Sequence, residues 1–246
     1  MVGGGGAAHV IRLLLEREQA SLGSRGRVAE GEAHHLRVRR VKDGEVVAIR
    51  DGAGLVGTGR LVRVGKDWEV EVDSLERRLA PPELILAVGA GDRERFTWVV
   101  EKAVELGVTT LVPLETERTA GVATRVRPVH LAKLRRQALE AVKQSGNPWT
   151  CALDEPVGIE AFLAREQPTQ RWLADPAGVA PPATLGGGSC AIIVGPEGGL
   201  TEHERASAIE AGFTAITLGP NMLRFETAAV AAAAVVEAAR QRGMHA

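Results

Sequence analysis

The chain has 246 residues, of which 45% are hydrophobic and 25% are charged, and its formal net charge is −1. This length allows one large domain or two modest ones. A net charge so close to zero gives no overall sign of nucleic-acid binding. The two cysteines, Cys151 and Cys190, provide no disulfide framework, so we expect a reducing intracellular compartment.

The sequence also argues against a membrane protein, a secreted protein and a zinc protein. No apolar run approaches the roughly 18 residues that a membrane span needs. The glycine-rich start, followed by Arg12, lacks the uninterrupted apolar centre of a signal peptide, so a cytoplasmic location is expected. His34 and His35 have no cysteine pair near them, so no metal site is expected.

The first part of the chain predicts a small β domain over residues 1–80. Alternating apolar and polar residues, typical of half-buried antiparallel strands in a small barrel, occur at 46–49, 61–64 and 68–72. A hairpin turn is predicted at 51–54 and a short helix at 32–41. Ala80, Pro81 and Pro82 interrupt this pattern, and we place the domain boundary there.

Residues 81–246 predict a second domain of the α/β class. Apolar runs that indicate buried strands occur at 84–88, 111–114, 171–174, 192–194 and 216–218. Amphipathic helices are predicted at 94–106 and at 131–142, and a loop rich in proline and glycine at 176–188. Because strands and helices alternate, the pattern favours a parallel sheet.

A loop of unusual composition follows the strand at 192–194. Residues 195–199 read Gly-Pro-Glu-Gly-Gly, and a helix with a predicted capping box begins at Thr201, with Glu204 as its second member. Open α/β sheets place ligands at such strand ends, and free amides at a helix start suit an anion. The loop lacks the Lys and Ser/Thr of the Walker pattern, which disfavours a nucleoside triphosphate. Taken alone, this motif fits an ordinary tight turn equally well.

A second loop of the same kind follows the strand at 216–218 and leads into a helix from about Glu226. Arg224 stands two residues before Glu226, so a cation and a carboxylate meet at a helix start. A glutamate is favourable there through the helix dipole alone, and this interpretation competes with a chemical role. Arg224 has no equally simple structural role, and its planar fork suits a phosphate or a base edge. The helix that follows is rich in alanine and permits close packing against the sheet or a second subunit.

These two loops together resemble the SPOUT superfamily of knotted methyltransferases, and within it the small-subunit ribosomal RNA uridine N3-methyltransferase family. The resemblance rests on residues 195–199, 218–219 and 223–228, and it extends to 101–108, 117–119, 144–146 and, in the first domain, 34–40, 44 and 51–52. The chain departs from the family pattern at Asn147, where an arginine is usual, and at Val104, where a threonine is usual. Thr119 keeps the hydroxyl of the commoner serine, and Met222 replaces a leucine or isoleucine.

The resemblance implies a parallel α/β sheet that ends in a trefoil knot, preceded by a PUA-like RNA-binding β-barrel. It also implies a homodimer and S-adenosylmethionine as the cofactor, bound bent by the backbone of three loops. Glycines suit such loops, since backbone amides reach a ligand only where no side chain blocks them. The cofactor residues implied are Leu173, Ala174, Gly195, Pro196, Glu197, Gly198, Gly199, Leu218, Gly219, Met222, Leu223 and Thr227.

The reaction implied by the resemblance is methyl transfer to N3 of a uridine in small-subunit (16S) ribosomal RNA. We expect Arg224 to stabilise the uridine anion or orient the base, and Glu226, or a water that it holds, to be a candidate proton acceptor. Candidate phosphate contacts are Arg12, Arg37, Arg39, Arg40, Arg60 and Arg63 in the first domain, and Arg118 in the second. Any single arginine of the first domain also fits simple solvation of a strand face.

Two other functions remain open from the sequence. Residues 88–92 read Val-Gly-Ala-Gly-Asp between a strand and a helix, as in a Rossmann dinucleotide site, but the third glycine of that fingerprint is missing. A non-catalytic RNA-binding or ribosome-assembly protein of the same fold is the second alternative. Binding of S-adenosylmethionine, of NAD or of neither would discriminate among the three.

Overall fold

The computed structural model describes residues 11–15 and 21–244, with only the backbone of the last of these. The N-terminal residues from which the absence of a signal peptide is inferred lie mostly outside this part. The chain divides into two compact units. Unit 1 holds the described residues up to Ala80 together with Val142–Trp149, and unit 2 holds Pro81–Ala141 and the described residues from Thr150 onward.

Unit 1 is built on a five-stranded sheet with the order β1-β3-β4-β5-β2. Its strands are β1 (Ile11–Leu14), β2 (Arg25–Arg27), β3 (Val46–Arg50), β4 (Leu55–Val64) and β5 (Asp67–Arg77). The β1–β3 pair is parallel and the other pairs are antiparallel. The predicted strands are therefore confirmed, and the predicted turn joins β3 to β4, where Gly54 has a φ of 92° that favours glycine.

The core of unit 1 forms between the inner face of this sheet and one short helix, α1 (Glu30–Val38). Alternate residues of β5, including Trp68, Val70 and Val72, point inward and are buried, as the period of a strand requires. Leu36 of α1 packs into the same cluster. The helix begins and ends earlier than the predicted range 32–41. It does not continue through Arg40, because the φ of 54° at that residue lies outside helical geometry.

Unit 2 is built on a seven-stranded sheet in which every pair is parallel. The order is β12-β10-β11-β6-β7-β8, and β9 also pairs with β7. The strands are β6 (Leu84–Gly89), β7 (Thr110–Glu115), β8 (Ala152–Leu153), β9 (Val157–Gly158), β10 (Gln170–Val179), β11 (Cys190–Val194) and β12 (Thr214–Ile216). The parallel α/β class predicted from the alternation of strands and helices is confirmed.

The helices after β6 are α2 (Arg93–Glu105), α3 (Leu131–Ser145), α4 (Ile159–Leu163), α5 (Glu202–Glu210) and α6 (Phe225–Met244). The Asp92 carboxylate caps α2 by accepting from the amides of Glu94 (2.9 Å) and Arg95 (3.1 Å). Helix α6 packs against α2, β6 and β11. Its buried face is largely alanine, and residues this small let the helix approach the sheet closely.

Two predicted boundaries in unit 2 are wrong. β10 runs on to Val179, although the sequence predicts a loop from Pro176, because β10 pairs again with β12 after an irregularity: Val179 opposes Ile216. β12 ends at Ile216, two residues before the predicted end, and the next two residues join the loop. The local pattern of apolar residues does not predict where β10 and β12 end, since the bounds of a strand depend on its pairing partner.

The connection from β10 to β11 lies on the C-terminal part of α6. The amide of Leu185 donates to the carbonyl oxygen of Ala239 (2.9 Å), and the guanidinium of Arg240 donates to the carbonyl oxygens of Gly188 (3.0 Å) and Glu83 (2.6 Å). Arg240 is buried, and these bonds supply acceptors that a buried charge requires. The bonds thus tie this connection to the last helix.

Candidate active site

A cavity of about 300 Å³ lies in unit 2 at the carboxyl end of β11, beside the point where the pairing of β10 with β11 ends. Three chain segments surround it: the middle of β10 (173–176), the loop 195–200 after β11, and the loop 217–223 after β12. The lining residues are Leu173, Ala174, Asp175, Pro176, Val194, Gly195, Pro196, Glu197, Gly199, Leu200, Arg205, Thr217, Leu218, Gly219, Asn221, Met222, Leu223, Phe225 and Ala228. This is the strand edge at which parallel sheets place ligands.

The loop at 195–199 is tightly packed against the rest of the unit. The Gly199 amide donates to the carbonyl oxygen of Pro196 (2.7 Å), and Gly199 has a φ of 73°. A Cβ on Gly89, the last residue of β6, would lie 2.4 Å from the nitrogen of Pro196. Arg118 donates to the carbonyl oxygen of Gly198 from the other side. Neighbouring atoms therefore restrict the backbone of this loop to the observed conformation.

Glu204 is the buried carboxylate that ties this loop to its surroundings. One oxygen accepts from the amide of Thr201 (2.8 Å) and the other from the amide of Glu117 (2.8 Å). The hydroxyl of Thr201 in turn accepts from the amide of Glu204 (3.3 Å), so the predicted capping box is confirmed. The bond to Glu117 lies outside the capping box and joins α5 to the loop after β7.

Asp175 and Arg205 form an ion pair in the cavity wall that sequence analysis missed. Their Oδ2 and Nε atoms are 2.5 Å apart. Burial raises the pKa of Asp175, but the hydrogen bonds from Arg205 and from the Ala177 amide outweigh burial and hold that pKa below its ordinary value. The pair joins residues 30 positions apart, so no local pattern could reveal it. It offers the cavity both a carboxylate and a guanidinium.

The loop at 217–223 is open by comparison. Met222 is 81% exposed, and a Cβ on Gly219 would meet no atom within 4 Å. The Thr217 hydroxyl donates to the carbonyl oxygen of Gly219 (3.0 Å), and the Thr217 amide donates to Val179 (2.8 Å). Leu218, Met222 and Leu223 line the cavity and present apolar groups to it.

The structure brings most of the predicted cofactor residues together around one cavity. Gly198 and Thr227 are the members of the predicted set that do not line it. Gly198 is the part of its loop that faces Arg118, and Thr227 is an exposed residue of α6. The cavity also has lining residues that the sequence did not single out, such as Asn221 and Phe225.

Arg224 and Glu226 lie beside the cavity and are not among its lining residues. The Arg224 side chain is exposed. Glu226 is 15% exposed, and one of its carboxylate oxygens is 3.6 Å from Nη1 of Arg95 in α2. The other oxygen is buried and has no hydrogen-bond partner among the described residues. Glu226 thus has a structural partner beyond the helix dipole, and also one free acceptor.

The arginines predicted to contact RNA have different surroundings. Arg12 donates to the carbonyl oxygens of Lys143 (3.1 Å) and Gln144 (3.3 Å), Arg37 reaches that of Lys66 (3.4 Å), and Arg60 pairs with Asp73 (3.2 Å). Arg63 donates to the carbonyl oxygen of Gly65 (3.3 Å). Arg39 and Arg40 are exposed, and Arg118 is held on Gly198 as described. Contact with RNA stays a prediction for all of them.

Two features are absent from residues 11–15 and 21–244. No cluster of three or more His, Cys, Asp or Glu side chains in this part could hold a metal ion. None of the helices there is long and apolar enough to cross a membrane.

Comparison with known families gives two matches along the chain. Residues 28–67 match the RNA methyltransferase PUA domain, and residues 78–237 match the RNA methyltransferase domain. The second match covers more than half of the chain. Unit 1 therefore contains an N-terminal PUA domain, and unit 2 contains most of the region that matches the methyltransferase domain.

Individual relatives agree with these matches. The ribosomal RNA small subunit methyltransferase E of Aquifex aeolicus is 32% identical over 215 residues, which cover 84% of this chain and 91% of that protein. The protein of the same name from Bacillus subtilis is 28% identical, covering 80% of this chain and 83% of its own length.

Solved structures resemble most of the chain. The ribosomal RNA small subunit methyltransferase E of Neisseria gonorrhoeae bound to S-adenosyl methionine has a TM-score of 0.81 and 30% identity, covering 92% of this chain and 96% of that one. A putative methyltransferase of Legionella pneumophila in complex with the same cofactor also has a TM-score of 0.81, at 28% identity, covering 94% and 98%. The chain belongs to the RNA methyltransferase family that includes the ribosomal RNA small subunit methyltransferases E.

Proposed function

We propose that this protein transfers the methyl group of S-adenosylmethionine to N3 of a uridine in small-subunit ribosomal RNA, in the cytoplasm. Family membership supports the general activity, S-adenosylmethionine-dependent methylation of ribosomal RNA. The choice of uridine and of its N3 atom rests on the family resemblance of the two loops. The single observation that carries the proposal is the cavity at 173–176, 194–200 and 217–223, which three separate segments build.

The residues around this cavity fit S-adenosylmethionine. Leu218, Met222 and Leu223 offer apolar surface to an adenine ring. Gly195, Gly199 and Gly219 line the cavity, and at Gly219 no atom lies within 4 Å of the Cβ position, so its backbone is accessible to a ligand. Asp175 and Arg205 supply a carboxylate and a guanidinium, which suit the amino and carboxylate groups of the methionine part. When bound, the cofactor supplies an electrophilic methyl group on a sulfonium.

Arg224 and Glu226 are proposed to act on the uridine. N3 of uracil carries a weakly acidic proton, and attack on a methyl group is easier once that proton has left. The exposed guanidinium of Arg224 can stabilise the resulting negative charge on the base. The unpartnered oxygen of Glu226 can accept the proton directly or through a water. Arg95 is then a positioning residue, because it holds the other oxygen of Glu226.

Three architectural features belong to the proposal. The first is a trefoil knot in unit 2, which is supported by the connection from β10 to β11 that lies on α6 through Leu185 and Arg240. The second is closure of the unit 1 sheet into a barrel with its own domain boundary after Ala80. Such closure would bring together β1 and β2, which are the end strands of the described sheet. The third is a homodimer, which the close-packing alanine helix α6 would suit.

The Rossmann alternative receives no support from the loop at 89–92. A Cβ on Gly89 would meet Pro196, and one on Gly91 would lie 2.9 Å from the Glu197 carboxylate. These glycines therefore admit neighbouring protein atoms, where a dinucleotide fingerprint would admit a pyrophosphate. Calorimetric titration tests this directly, since S-adenosylmethionine is expected to bind and NAD is not.

The activity itself is tested by mass spectrometry of ribosomal RNA from cells with and without the protein. We expect one N3-methyluridine of the small subunit to disappear when the protein is absent. An unchanged profile, with S-adenosylmethionine still bound by the purified protein, would contradict the proposed target. Binding of neither ligand would favour the non-catalytic assembly role.

The role of Glu226 is tested by the pH–rate profile of Glu226→Gln. If Glu226 accepts the proton, its loss is expected to lower turnover by about 100-fold and to remove the acid limb of the profile. A turnover equal to that of the wild type would remove Glu226 from the mechanism.

A further inference from the structure

The methyltransferase unit carries three cations around one histidine, and none of these four residues is among the predicted RNA contacts. We define the α3 basic cluster as Arg93, Arg127, His130 and Lys133. Arg93 opens α2, and the other three lie around the start of α3, where a short 3-10 turn (Pro128–His130) precedes the helix. Arg127 and Lys133 are exposed, and Arg93 and His130 are half-buried.

The three cations of this cluster form no ion pair with a carboxylate in the part of the chain that the structure describes. Across the described part of unit 2, ion pairs neutralise Arg95, Arg135, Arg165 and Arg205. No such pair reaches the three cations of the α3 basic cluster within those residues. Of the two carboxylates next to Arg93 in sequence, Asp92 is already used as the cap of α2 and as a partner of Arg95 (3.8 Å), and Glu94 forms no ion pair with Arg93 in the described structure. The positive charge of the cluster is therefore available to an anion.

The imidazole of His130 gives a second and independent indication of an anion. Its Nδ1 accepts from the amide of Arg127 (3.0 Å), and its Nε2 lies 3.1 Å from Nη1 of Arg93. A neutral imidazole has one acceptor and one donor. Because Nδ1 is the acceptor, the proton is assigned to Nε2, where it faces a guanidinium N–H. Two donors meet there without an acceptor, which an oxygen of an anion would supply.

The electrostatics of His130 agree with this assignment. Burial lowers the pKa of His130, and the charges of Arg93, Arg127 and Lys133 lower it further. Three cations thus act on one imidazole from α2, from the 3-10 turn and from α3. An anion bound among them would relieve this mutual repulsion.

The cluster lies at the same edge of the sheet as the candidate active site. The Thr124 hydroxyl donates to the carbonyl oxygen of Gly91 (2.9 Å), and the amide of Val126 donates to that of Ala90 (3.0 Å), so this segment covers the loop after β6. Gly91 in turn faces Glu197 of the cavity loop. Helix α2 makes a second link, because its first turn holds His130 through Arg93 and Glu226 through Arg95.

We propose that the α3 basic cluster binds the phosphate backbone of the RNA substrate on the methyltransferase unit itself, close to the nucleotide that is methylated. This inference rests on the proposed function, because it takes RNA as the anion. A backbone with regularly spaced phosphates matches several unpaired cations on one surface. The cluster would then position the strand while Arg224 and Glu226 act on the base.

The test measures binding of a fluorescein-labelled oligouridylate by anisotropy, at KCl concentrations between about 50 and 200 mM. The variant is Arg127→Gln with Lys133→Gln, since both side chains are exposed and neither is placed in the catalytic machinery. We expect affinity about tenfold weaker than wild type, and a salt dependence flatter by about 1.5, or roughly 0.7 to 0.9 for each lost phosphate contact.

The matched control is Lys102→Gln with Arg165→Gln, which removes the same charge from the same unit. Both of these residues are ion-paired with carboxylates at 2.7 Å, so they are not expected to contribute to RNA binding. Equal losses in the test and control variants would overturn the proposal, because net charge alone would then explain the effect. Wild-type affinity and salt dependence in the Arg127/Lys133 variant would also overturn it.

The outcome is separable from that of the proposed function. If the cluster variant loses RNA affinity while wild-type protein methylates no uridine, the phosphate site stands and the proposed target fails. If wild-type protein methylates uridine and the cluster variant binds RNA normally, the target stands and the site fails. A wild-type protein that binds no RNA at all would overturn both.

Discussion

The two loops that precede α5 and α6 both contain the dipeptide Gly-Pro, yet its surroundings differ between them. In the first loop, Pro196 packs against Gly89, Gly198 is held by Arg118, and the amide of Thr201 just after the loop donates to Glu204. Gly219-Pro220 faces open space, beside the 81% exposed Met222. This difference indicates that the loop at 195–199 forms a preformed wall of the cavity, whereas the loop at 217–223 has room to adapt when a ligand binds. Four substitutions test this contrast, in order of decreasing expected effect.

Gly89→Ala is expected to damage the preformed loop most. Its Cβ would lie 2.4 and 2.5 Å from the nitrogen and Cδ of Pro196, so backbone must move. Overpacking of this kind costs about 2–3 kcal/mol of unfolding free energy, and we expect S-adenosylmethionine affinity to fall on the order of 100-fold. Thermal unfolding and calorimetry measure the two effects. Gly121→Ala is the control, since nothing lies within 4 Å of its Cβ position. An unaffected Gly89→Ala protein would show that the loop is not held rigidly.

Glu204→Ala tests the hydrogen bonds of the same loop. It leaves the amides of Thr201 and Glu117 without their acceptor, and we expect a loss of about 2 kcal/mol in unfolding free energy. Glu202→Ala, two residues earlier, removes only an exposed ion pair with Arg205 and is expected to change that energy by about 0.5 kcal/mol or less. Denaturant titration of the two variants compares them, and similar losses would contradict the special position of Glu204.

Gly219→Ala is expected to act on the ligand and leave the fold intact. The Cβ has space, so unfolding free energy should stay within about 0.5 kcal/mol of wild type. If the cofactor approaches the backbone here, its affinity should fall by about tenfold, which calorimetry would detect. Unchanged affinity would show that the cofactor does not approach the backbone at residue 219.

Asp175→Asn has the smallest expected effect, and it depends on pH. The folded pKa of Asp175 lies below its ordinary value, so the ion pair contributes fully above about pH 4 and is lost as the pH falls further. We therefore expect the unfolding free energy of the wild type to decline in acid, and the unfolding free energy of Asp175→Asn to decline less. Because Arg205 is 38% exposed, the difference should be about 1 kcal/mol or less. Parallel acid limbs in the two proteins would contradict a stabilising pair.

Much of the site could be predicted from the sequence because local rules govern it. Thr201 and Glu204 stand at the spacing of a capping box, and the box forms. The glycines at 195 and 199 indicated close backbone approach, and they line the cavity. The Asp175–Arg205 pair was missed because it joins residues 30 positions apart. In the α3 basic cluster only Arg93 is remote in sequence, and the fold alone shows that it meets His130.

The sequence by itself determined the α/β class of the second domain, the presence of strands β3 to β7 and β10 to β12, and the two loops at strand ends, since hydrophobic period and turn residues act over a few positions. Only the tertiary structure decided that β10 continues to Val179, that Glu226 meets Arg95, and that one Gly-Pro loop is enclosed while the other is open. The physical reason is the same in each case. These features depend on which atoms of remote segments come within contact distance, and identical local sequences acquire different surroundings once the chain is folded.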